Sequence, residues 1–406
     1  MSELLRISWR NLWRNRRRTI LTVFMVAFAV WISLIMRSFQ IGSYDHMVSN
    51  LVHSWSGYFQ IHSKGYQDDQ VLNNSFQQNS ELDSIIATFD GLDVAPRLES
   101  FALSSYGTKT RGAILTGIDP EAENGLTSVY GKMVQGSFIT ANDNESMVSS
   151  RLASYLGLSV GDTLVIIGQG YQGASAAGIF PVKGILKFPS PELDKQMIFL
   201  SLPAAQEFFS APGQLTSMAF NMKDPDELTA VVNKLRKTID PELYEVLDWK
   251  EMMPEMVQQI EGDNISGIIM LGILYVIIGF GILGTVLMIT TERIREFGMM
   301  MAVGMSKTHI VLMQGLEMIQ IGIIGVLTGT AMATPIVYWF HQNPIRLQGD
   351  MAKMMEEFGF EPIMPAAFKA GFFTDQAVII LGVMATTIVI SSLIIFRLNV
   401  IKALRK

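Results

Sequence analysis

The pentapeptide Gly157-Leu-Ser159-Val-Gly161 has the G-x-S-x-G spacing of a serine nucleophile elbow. Such an elbow holds its serine between a preceding strand and a following helix, so that the hydroxyl projects from a sharp turn. Here a helix-like pattern comes first and the extended sequence 160–167 follows, which is the reverse order. The motif therefore does not predict a catalytic serine.

Other reactive patterns are also missing from the sequence. The five histidines are scattered without the H-E-x-x-H spacing of a zinc site, and the chain contains no cysteine. No G-x-x-x-x-G-K-[ST] phosphate loop occurs. We therefore predict no catalytic residue, no metal site and no cofactor in this chain. If it uses nucleotide energy, ATP and Mg²⁺ are bound by a separate partner ATPase.

A charged segment is the strongest candidate for a binding function. It consists of Glu292, Arg293, Arg295 and Glu296, which have helical spacing. Gly298 and Gly304 are expected to permit sharp turns around the apolar stretch 299–303. Such an element can dock in a groove of a soluble protein and transmit its movement. The alternative is a loop whose charges only anchor the ends of neighbouring membrane spans.

The first forty residues predict an amphipathic helix that leads into a membrane span. Six arginines precede the uncharged run 20–36, and only Glu3 offsets them. An arginine side of the predicted helix adjoins a side of leucine and tryptophan, as in interfacial helices. The residues assigned to this helix are Trp9, Arg10, Asn11, Leu12, Trp13, Arg14 and Arg18. Cleavage of a signal peptide near Ala29 is disfavoured, because the apolar run continues well past that residue.

Composition places the chain in a membrane. With 49% hydrophobic and 17% charged residues among 406, it is too apolar for an ordinary soluble enzyme. Three further uncharged stretches, 265–289, 310–340 and 377–396, reach the ~20 residues that cross a hydrocarbon core. Basic residues cluster at both termini and between the second and third spans, so these regions are predicted to face the cytoplasm. The net charge of −6 gives no reason to expect a nucleic-acid partner.

The predicted fold is a polytopic α-helical membrane protein with four transmembrane helices and a large α+β extracytoplasmic domain inserted between helices 1 and 2. Its segments are an amphipathic N-terminal helix (1–19), span one (20–40), the extracytoplasmic domain (41–263), span two (264–290), a cytoplasmic coupling loop (291–309), span three (310–340), a short extracytoplasmic loop (341–375), span four (376–397) and a cytoplasmic tail (398–406). Within the domain, the pattern predicts strands at 58–62, 113–118, 180–186, 196–200 and 217–222, and helices at 144–156 and 225–237.

Polar and small residues inside the predicted spans are candidates for contacts between helices. Glu317 is the one acid in the third span, and we expect it to make a structural polar contact with the N-terminal arginine helix. Gly325 and Gly329 form a G-x-x-x-G in the same span, and Gly279 lies in the second. Such glycines let helices approach closely, either within one chain or between two copies.

These motifs resemble the permease subunits of the macrolide-exporter, lipoprotein-releasing and cell-division group of ABC transporters. The N-terminal pattern of that group is matched at Arg10, Asn11, Leu12, Arg14, Arg18 and Thr19, with a departure at Trp9. Its pattern between spans two and three is matched at Glu292, Arg293, Glu296, Phe297, Gly298, Ala302, Val303 and Gly304. The phrase Leu156–Asp162 is also typical of the group.

The resemblance implies a bacterial inner-membrane protein whose loop 291–309 couples to a cytoplasmic ABC ATPase dimer. A second permease copy or paralogue and membrane lipid are the other implied partners, and the large domain is expected in the periplasm. Extraction of lipoproteins for release to a periplasmic carrier is favoured, because the domain is large and the chain starts at the membrane helix without a fused ATPase. Export of peptides or small molecules and non-transport activation of cell-wall hydrolases remain open. A membrane-tethered enzyme or receptor is disfavoured, since one span suffices for tethering.

Overall fold

The computed structural model describes residues 2–14, 16–89, 91–357 and 361–397. The chain divides into two compact units. A helical unit contains the residues up to 45, residues 260–346 and those from 363 onward, and an α+β unit contains residues 46–259 and 347–362. The predicted tail 398–406 lies outside the described residues.

The regular elements follow one another in a long alternating order. The helices are α1 Ser2–Arg14, α2 Arg16–Leu51, α3 Ser80–Ile86, α4 Pro120–Thr127, α5 Ser150–Leu156, α6 Pro191–Asp194, α7 Leu202–Phe208, α8 Leu228–Thr238, α9 Trp249–Met252, α10 Pro254–Glu292, α11 Ile294–Ala302, α12 Lys307–Gln342, α13 Asp350–Glu357 and α14 Ala370–Phe396. The strands are β1 Phe59–Ser63, β2 Phe76–Gln77, β3 Leu92–Tyr106, β4 Lys109–Ile118, β5 Met133–Gly136, β6 Ser146–Ser149, β7 Thr163–Gln169, β8 Ser175–Leu186, β9 Met197–Ser201, β10 Gln214–Leu215, β11 Ser217–Met222, β12 Tyr244–Asp248, β13 Ile345–Arg346 and β14 Ile363–Met364.

Among the described residues, four helices are long and apolar enough to cross a membrane. They are α2 with the π-helical turn Val52–Ser56 that extends it, α10, α12 and α14, with 41, 39, 36 and 27 residues. At about 1.5 Å per residue, α2 and α10 exceed the ~30 Å thickness of a hydrocarbon core. The predicted bounds 20–40 and 264–290 fall inside these helices, because helical backbone continues past the apolar run at which a hydropathy pattern stops.

Local chemistry accounts for where several of these helices begin and end. Gly57 follows the π-helical turn with a φ of +68°, a conformation that favours glycine and ends the helix. Pro254 opens α10, where its missing N–H costs nothing. The side chain of Ser306 accepts a hydrogen bond from the backbone N–H of His309 and caps the start of α12.

The core of the helical unit is shared by all of its long helices and by α1. Buried side chains from these helices meet in one cluster that includes Leu12 of α1, Val30 of α2, Ile282 of α10, Met318 of α12 and Met384 of α14. Leu12 is only 4% exposed, so the N-terminal helix packs against the spanning helices through this residue. Leu12 of the predicted interfacial helix is therefore part of the bundle, whereas Leu5 is 43% exposed.

The α+β unit is organised around a sheet whose order is β12-β1-β11-β3-β4-β9-β6-β8-β5, with β7 pairing with both β3 and β8. The pairs of β4 with β9 and of β6 with β8 are parallel. Strands β3, β4, β9, β6, β8 and β7 thus pair in a closed ring. The largest buried cluster combines residues of these strands with residues of α5 and α7.

One prediction inside the α+β unit is wrong, and one strand was missed. Part of the predicted helix 144–156 is a strand, because Met147 and Val148 are buried in β6 between β8 and β9 and only Ser150–Leu156 is helical. The longest strand, β3, was not predicted, because Pro96, Arg97 and Glu99 interrupt its apolar pattern. The strand forms because these residues meet specific partners across the sheet and on α4.

The loop predicted as one extracytoplasmic segment, 341–375, is divided between the two units. Residues 347–362 belong to the α+β unit, where Arg151 of α5 donates to Glu356 of α13 at 2.8 Å and His46 lies 2.9 Å from Glu361. The flanking strands β13 and β14 pair with each other in the helical unit. A hydropathy pattern shows only that the loop is polar, whereas its attachment depends on tertiary ion pairs.

Candidate coupling site

The charged segment folds as a short helix between two spanning helices. Helix α10 ends at Glu292, Arg293 follows, and α11 occupies Ile294–Ala302. The turn to α12 is made at Gly304, whose φ of +101° favours glycine. Gly298 was predicted to permit a sharp turn, and this is wrong, because Gly298 is a buried residue within α11.

One side of α11 is anchored in the helical unit. The ring of Phe297 is 0% exposed and contacts a buried cluster formed by Ile310 and Met313 of α12 and Ile395 of α14. Burial of a phenylalanine stabilises by about 2 kcal/mol, which is enough to fix the orientation of a short helix. The position of α11 is therefore tied to the positions of α12 and α14.

The other side of α11 presents apolar side chains outward. Val303 is 90% exposed and Met299 is 50% exposed. They border an open groove of about 680 Å³, lined by Met299, Met300, Val303, Gly304, Met305, Ser306 and His309. Methionine side chains adapt to irregular partner surfaces, so a groove with this lining suits a protein partner. Arg295, another predicted coupling residue, lies within α11, and Ala302 ends it.

Two ion pairs connect the charged segment to the N-terminal region. Arg14 of α1 donates to Glu296 at 2.5 Å, and Arg18 of α2 pairs with Glu292. Burial by itself raises the pKa of Glu296. Hydrogen bonds from Arg14 and Arg293 together outweigh this effect, so the pKa of Glu296 lies below its usual range. Both carboxylates thus lie against arginines that are far away in the sequence.

Glu317 of α12 lies at the centre of a buried polar contact. Asn11 of α1 donates to one of its oxygens at 2.8 Å, and Arg293 donates to the other at 2.7 Å. The side chains of Arg293 and Glu317 are 6% and 5% exposed. On the next turn of α12, Gln320 donates to Ser8 at 3.1 Å. The N-terminal helix therefore meets Glu317 through Asn11 rather than through an arginine, and Arg293 of the charged segment completes the contact.

Replacing Glu317 by alanine is expected to destabilise the helical unit by about 3 kcal/mol, because it leaves the buried guanidinium of Arg293 without its main partner. Thermal unfolding of the purified chain in detergent measures this. Glu261→Ala, at an exposed acid of α10, is the matched control and is expected to leave the unfolding temperature unchanged. The double variant Arg293→Met with Glu317→Met should recover most of the loss. Equal destabilisation by the Glu261 and Glu317 variants would contradict the prediction.

The remaining residues of the predicted interfacial helix lie on the surface of α1. Trp9 and Trp13 are 46% and 52% exposed, and their rings meet edge to face at 6.2 Å between centroids. Arg10 is exposed as well. Tryptophan and arginine side by side on an exposed helix surface suit the boundary between lipid and water.

The predicted packing glycines contact helices of the same chain. A Cβ atom at Gly325 would lie 2.5 Å from Val26, and one at Gly329 would lie 2.5 Å from the carbonyl oxygen of Ala27. At Gly279 the nearest atom, on Val383, is 3.4 Å away. The G-x-x-x-G of α12 thus brings α12 against α2, which selects packing within one chain for Gly325 and Gly329.

The serine of the G-x-S-x-G motif lies in a turn between a helix and a strand. Ser159 lies between α5 and β7, and its backbone N–H donates to Asp162 at 2.8 Å, as in a polar turn. Within the described part of the chain, no group of three or more His, Asp or Glu side chains is placed to hold a metal ion.

The fold is that of a polytopic α-helical membrane protein with four candidate spanning helices and a large α+β unit. The family model of the MacB-like periplasmic core domain matches residues 19–238, and that of the FtsX-like permease C-terminal region matches residues 268–401. The chain therefore belongs to the FtsX-like and MacB-like family of ABC transporter permeases.

Individual relatives are distant. The lipoprotein-releasing system transmembrane protein LolC of Xylella fastidiosa, from strains Temecula1 and 9a5c, is 22% identical over 242 residues, which cover 58% of each chain. The match thus spans a little over half the length of this curated relative. The periplasmic region of MacB from Actinobacillus actinomycetemcomitans is 13% identical, with 52% of this chain and 96% of that one covered at a TM-score of 0.35. The extracellular domain of the noncanonic ABC-type transporter YknZ from Gram-positive bacteria is 14% identical, with 47% and 99% covered at 0.33.

Proposed function

We propose that this chain is the permease subunit of an ABC transporter, and that it couples ATP hydrolysis by a separate cytoplasmic ATPase dimer to movement of the α+β unit. The observation that carries the proposal is α11. This helix exposes Met299 to a partner, as does Val303 directly after it, while Phe297 and Arg293 tie the helix to the spanning helices. A displacement of α11 by a docked partner would be passed to α12 through Glu317 and to α1 and α2 through the arginine pairs.

The proposed location is a bacterial inner membrane, with α1, α11 and the C-terminus in the cytoplasm. The arginines that precede the first span and the basic residues around α11 support this orientation. The α+β unit is then periplasmic. ATP and Mg²⁺ are bound by the ATPase, this chain holds no cofactor of its own, and the exposed tryptophans of α1 contact lipid.

The substrate that we favour is a lipoprotein, which the permease extracts from the membrane for release to a periplasmic carrier. The support is the similarity to a lipoprotein-releasing LolC protein together with the size of the α+β unit. A second copy or a paralogue of the chain would form the other half of the transporter. The match to the MacB-like domain favours export of peptides or small molecules as the second candidate. Activation of cell-wall hydrolases without transport is the third.

The proposal is tested by identifying what co-purifies with the full-length tagged chain from gently solubilised membranes of its native host. Mass spectrometry is expected to find a small ABC ATPase, a permease and acylated peptides in excess over an unrelated tagged membrane protein. An ATPase with an outer-membrane channel and a periplasmic adaptor would replace lipoprotein release by efflux. Absence of any ATPase would overturn the coupling role of α11.

A further inference from the structure

A half-buried lysine and a buried arginine contact the end of the first long helix inside the α+β unit. The π-helical turn Val52–Ser56 ends this helix. The ammonium group of Lys132 donates to the backbone carbonyl of Ser54 at 3.2 Å and to that of Thr127, at the end of α4, at 2.7 Å. In the same turn, the ring of Trp55 lies with its centroid 4.4 Å from the guanidinium carbon of Arg97. One lysine and one arginine thus contact neighbouring residues of this helix end.

Arg97 is itself held firmly. Its side chain is 0% exposed on β3 and donates twice to Glu123 of α4, at 2.8 and 2.7 Å. Thr127 donates to the same carboxylate at 3.0 Å. Trp55 also contacts Phe199 of β9 edge to face, at 6.0 Å between centroids. The helix end, the sheet and α4 are therefore joined by one connected set of contacts.

Stability alone does not explain why charges are placed here. Burial lowers the pKa of Lys132 to about 8, with Glu123 opposing and Arg97 adding to this effect. Burial likewise raises the pKa of the neighbouring Glu99 to about 7, although Arg97 opposes it. Apolar residues of similar volume often stabilise a protein as well as a buried ion pair does. Bidentate and charge-assisted hydrogen bonds provide instead one defined geometry.

We propose that Lys132, Trp55 and Arg97 form a rigid joint that fixes the end of the first long helix to the sheet and to α4. A displacement of that helix then moves the α+β unit as one body instead of bending the chain at residues 52–58. The use of this joint in transport rests on the proposed function, whereas its rigidity does not. Each part can therefore fail separately.

The rigidity is tested by hydrogen exchange of the full-length chain without nucleotide. Lys132→Met keeps the aliphatic stem and removes both hydrogen bonds, and it is expected to speed exchange in residues 52–58 by about tenfold, because a local opening becomes easier. The matched control is Lys237→Met, at an exposed lysine of α8, which should leave this segment unchanged. Unchanged exchange in the Lys132 variant would overturn the joint.

The role in transmission is tested on the chain assembled with its ATPase. Since the sequence contains no cysteine, this chain can be spin-labelled at Val378→Cys and Glu227→Cys alone before it is assembled with the ATPase. ATP with vanadate is expected to shift the distance between the labels, and Lys132→Met should reduce that shift by half or more. A full shift in the variant would overturn the role of the joint. If the labelled chain that keeps Lys132 shows no change of distance, the proposed function is overturned. The hydrogen-exchange experiment then still decides whether the joint is rigid.

The double variant Arg97→Met with Glu123→Leu distinguishes loss of the joint from general unfolding of the α+β unit. It replaces both members of the Arg97–Glu123 pair by apolar side chains. Glu99, which lies 3.7 Å from Arg97, loses this neighbour and is expected to bind a proton, because burial already raises its pKa to about 7. We expect it to keep the overall hydrogen-exchange protection of the sheet while residues 52–58 exchange faster. Faster exchange throughout the α+β unit would show a purely structural role and would overturn the joint.

Discussion

Glu292→Lys combined with Glu296→Lys is expected to lower ATP-driven activity by at least about tenfold, the change that roughly 1.4 kcal/mol of lost coupling produces. The two carboxylates are 41% and 37% exposed, so each ion pair contributes only about 0–1 kcal/mol to folding. The reversed charges, however, place lysines beside Arg14, Arg18 and Arg293. Repulsion then separates the N-terminal region from α11 while the spanning helices remain folded.

The measurement is ATP hydrolysis and substrate release by the assembled transporter, with the amount of folded chain determined in the same preparation. Glu255→Lys with Glu261→Lys is the matched control, because it makes the same change of charge at exposed acids of α10. This control is expected to retain activity. Full activity of the Glu292 and Glu296 variant would contradict the coupling role of the charged segment.

A compensating variant separates the two ways in which these glutamates can act. Adding Arg14→Glu and Arg18→Glu restores opposite charges at both contacts, so activity should recover by half or more if the glutamates work by holding the N-terminal region. If they contact the ATPase directly, the fourfold variant stays inactive and the ATPase dissociates. The geometry favours recovery, since both carboxylates already have arginine partners within the chain.

The sequence was sufficient to locate the charged segment but not to find its partners. Spacing alone predicted a short charged helix next to a span, because helical periodicity and the end of an apolar run are local signals. The structure places Glu296 on α11 but Glu292 at the end of α10. The pairing with Arg14 and Arg18 joins residues more than 270 positions apart, as does the contact between Asn11 and Glu317. Such contacts depend on how the helices pack, and a single sequence carries no record of that.

In the α+β unit, local sequence patterns located some strands and missed others. Strand β11 has the predicted bounds 217–222, because most of its residues are apolar and it is largely buried on both faces. Strand β3 was missed because Arg97 reads as a surface residue, although its charge is matched by Glu123 on α4. The joint around Lys132 was missed for the same reason. A lysine beside glycine suggests a solvent-exposed turn, and only the fold places carbonyl groups around it.

Gly329→Leu is expected to prevent the helical unit from folding, whereas Gly272→Leu should be tolerated. A Cβ atom at Gly329 would lie 2.5 Å from the carbonyl oxygen of Ala27 and 2.8 Å from Val30, so α12 and α2 would have to separate. Even a single added methyl group in a packed interior costs about 1–3 kcal/mol, and leucine adds three more heavy atoms. At Gly272 no atom lies within 4 Å of the corresponding position in the described chain.

The yield of monodisperse protein in detergent and its unfolding temperature measure both variants. Equal loss for Gly329→Leu and Gly272→Leu would mean that glycine is needed for a reason other than the contact with α2. A Gly272 variant that folds but fails to associate with a second permease would show something different. It would assign the exposed face of α10 to that partner, because Gly272 has no neighbour among the described residues of its own chain. The two glycines thus separate packing within the chain from packing between chains.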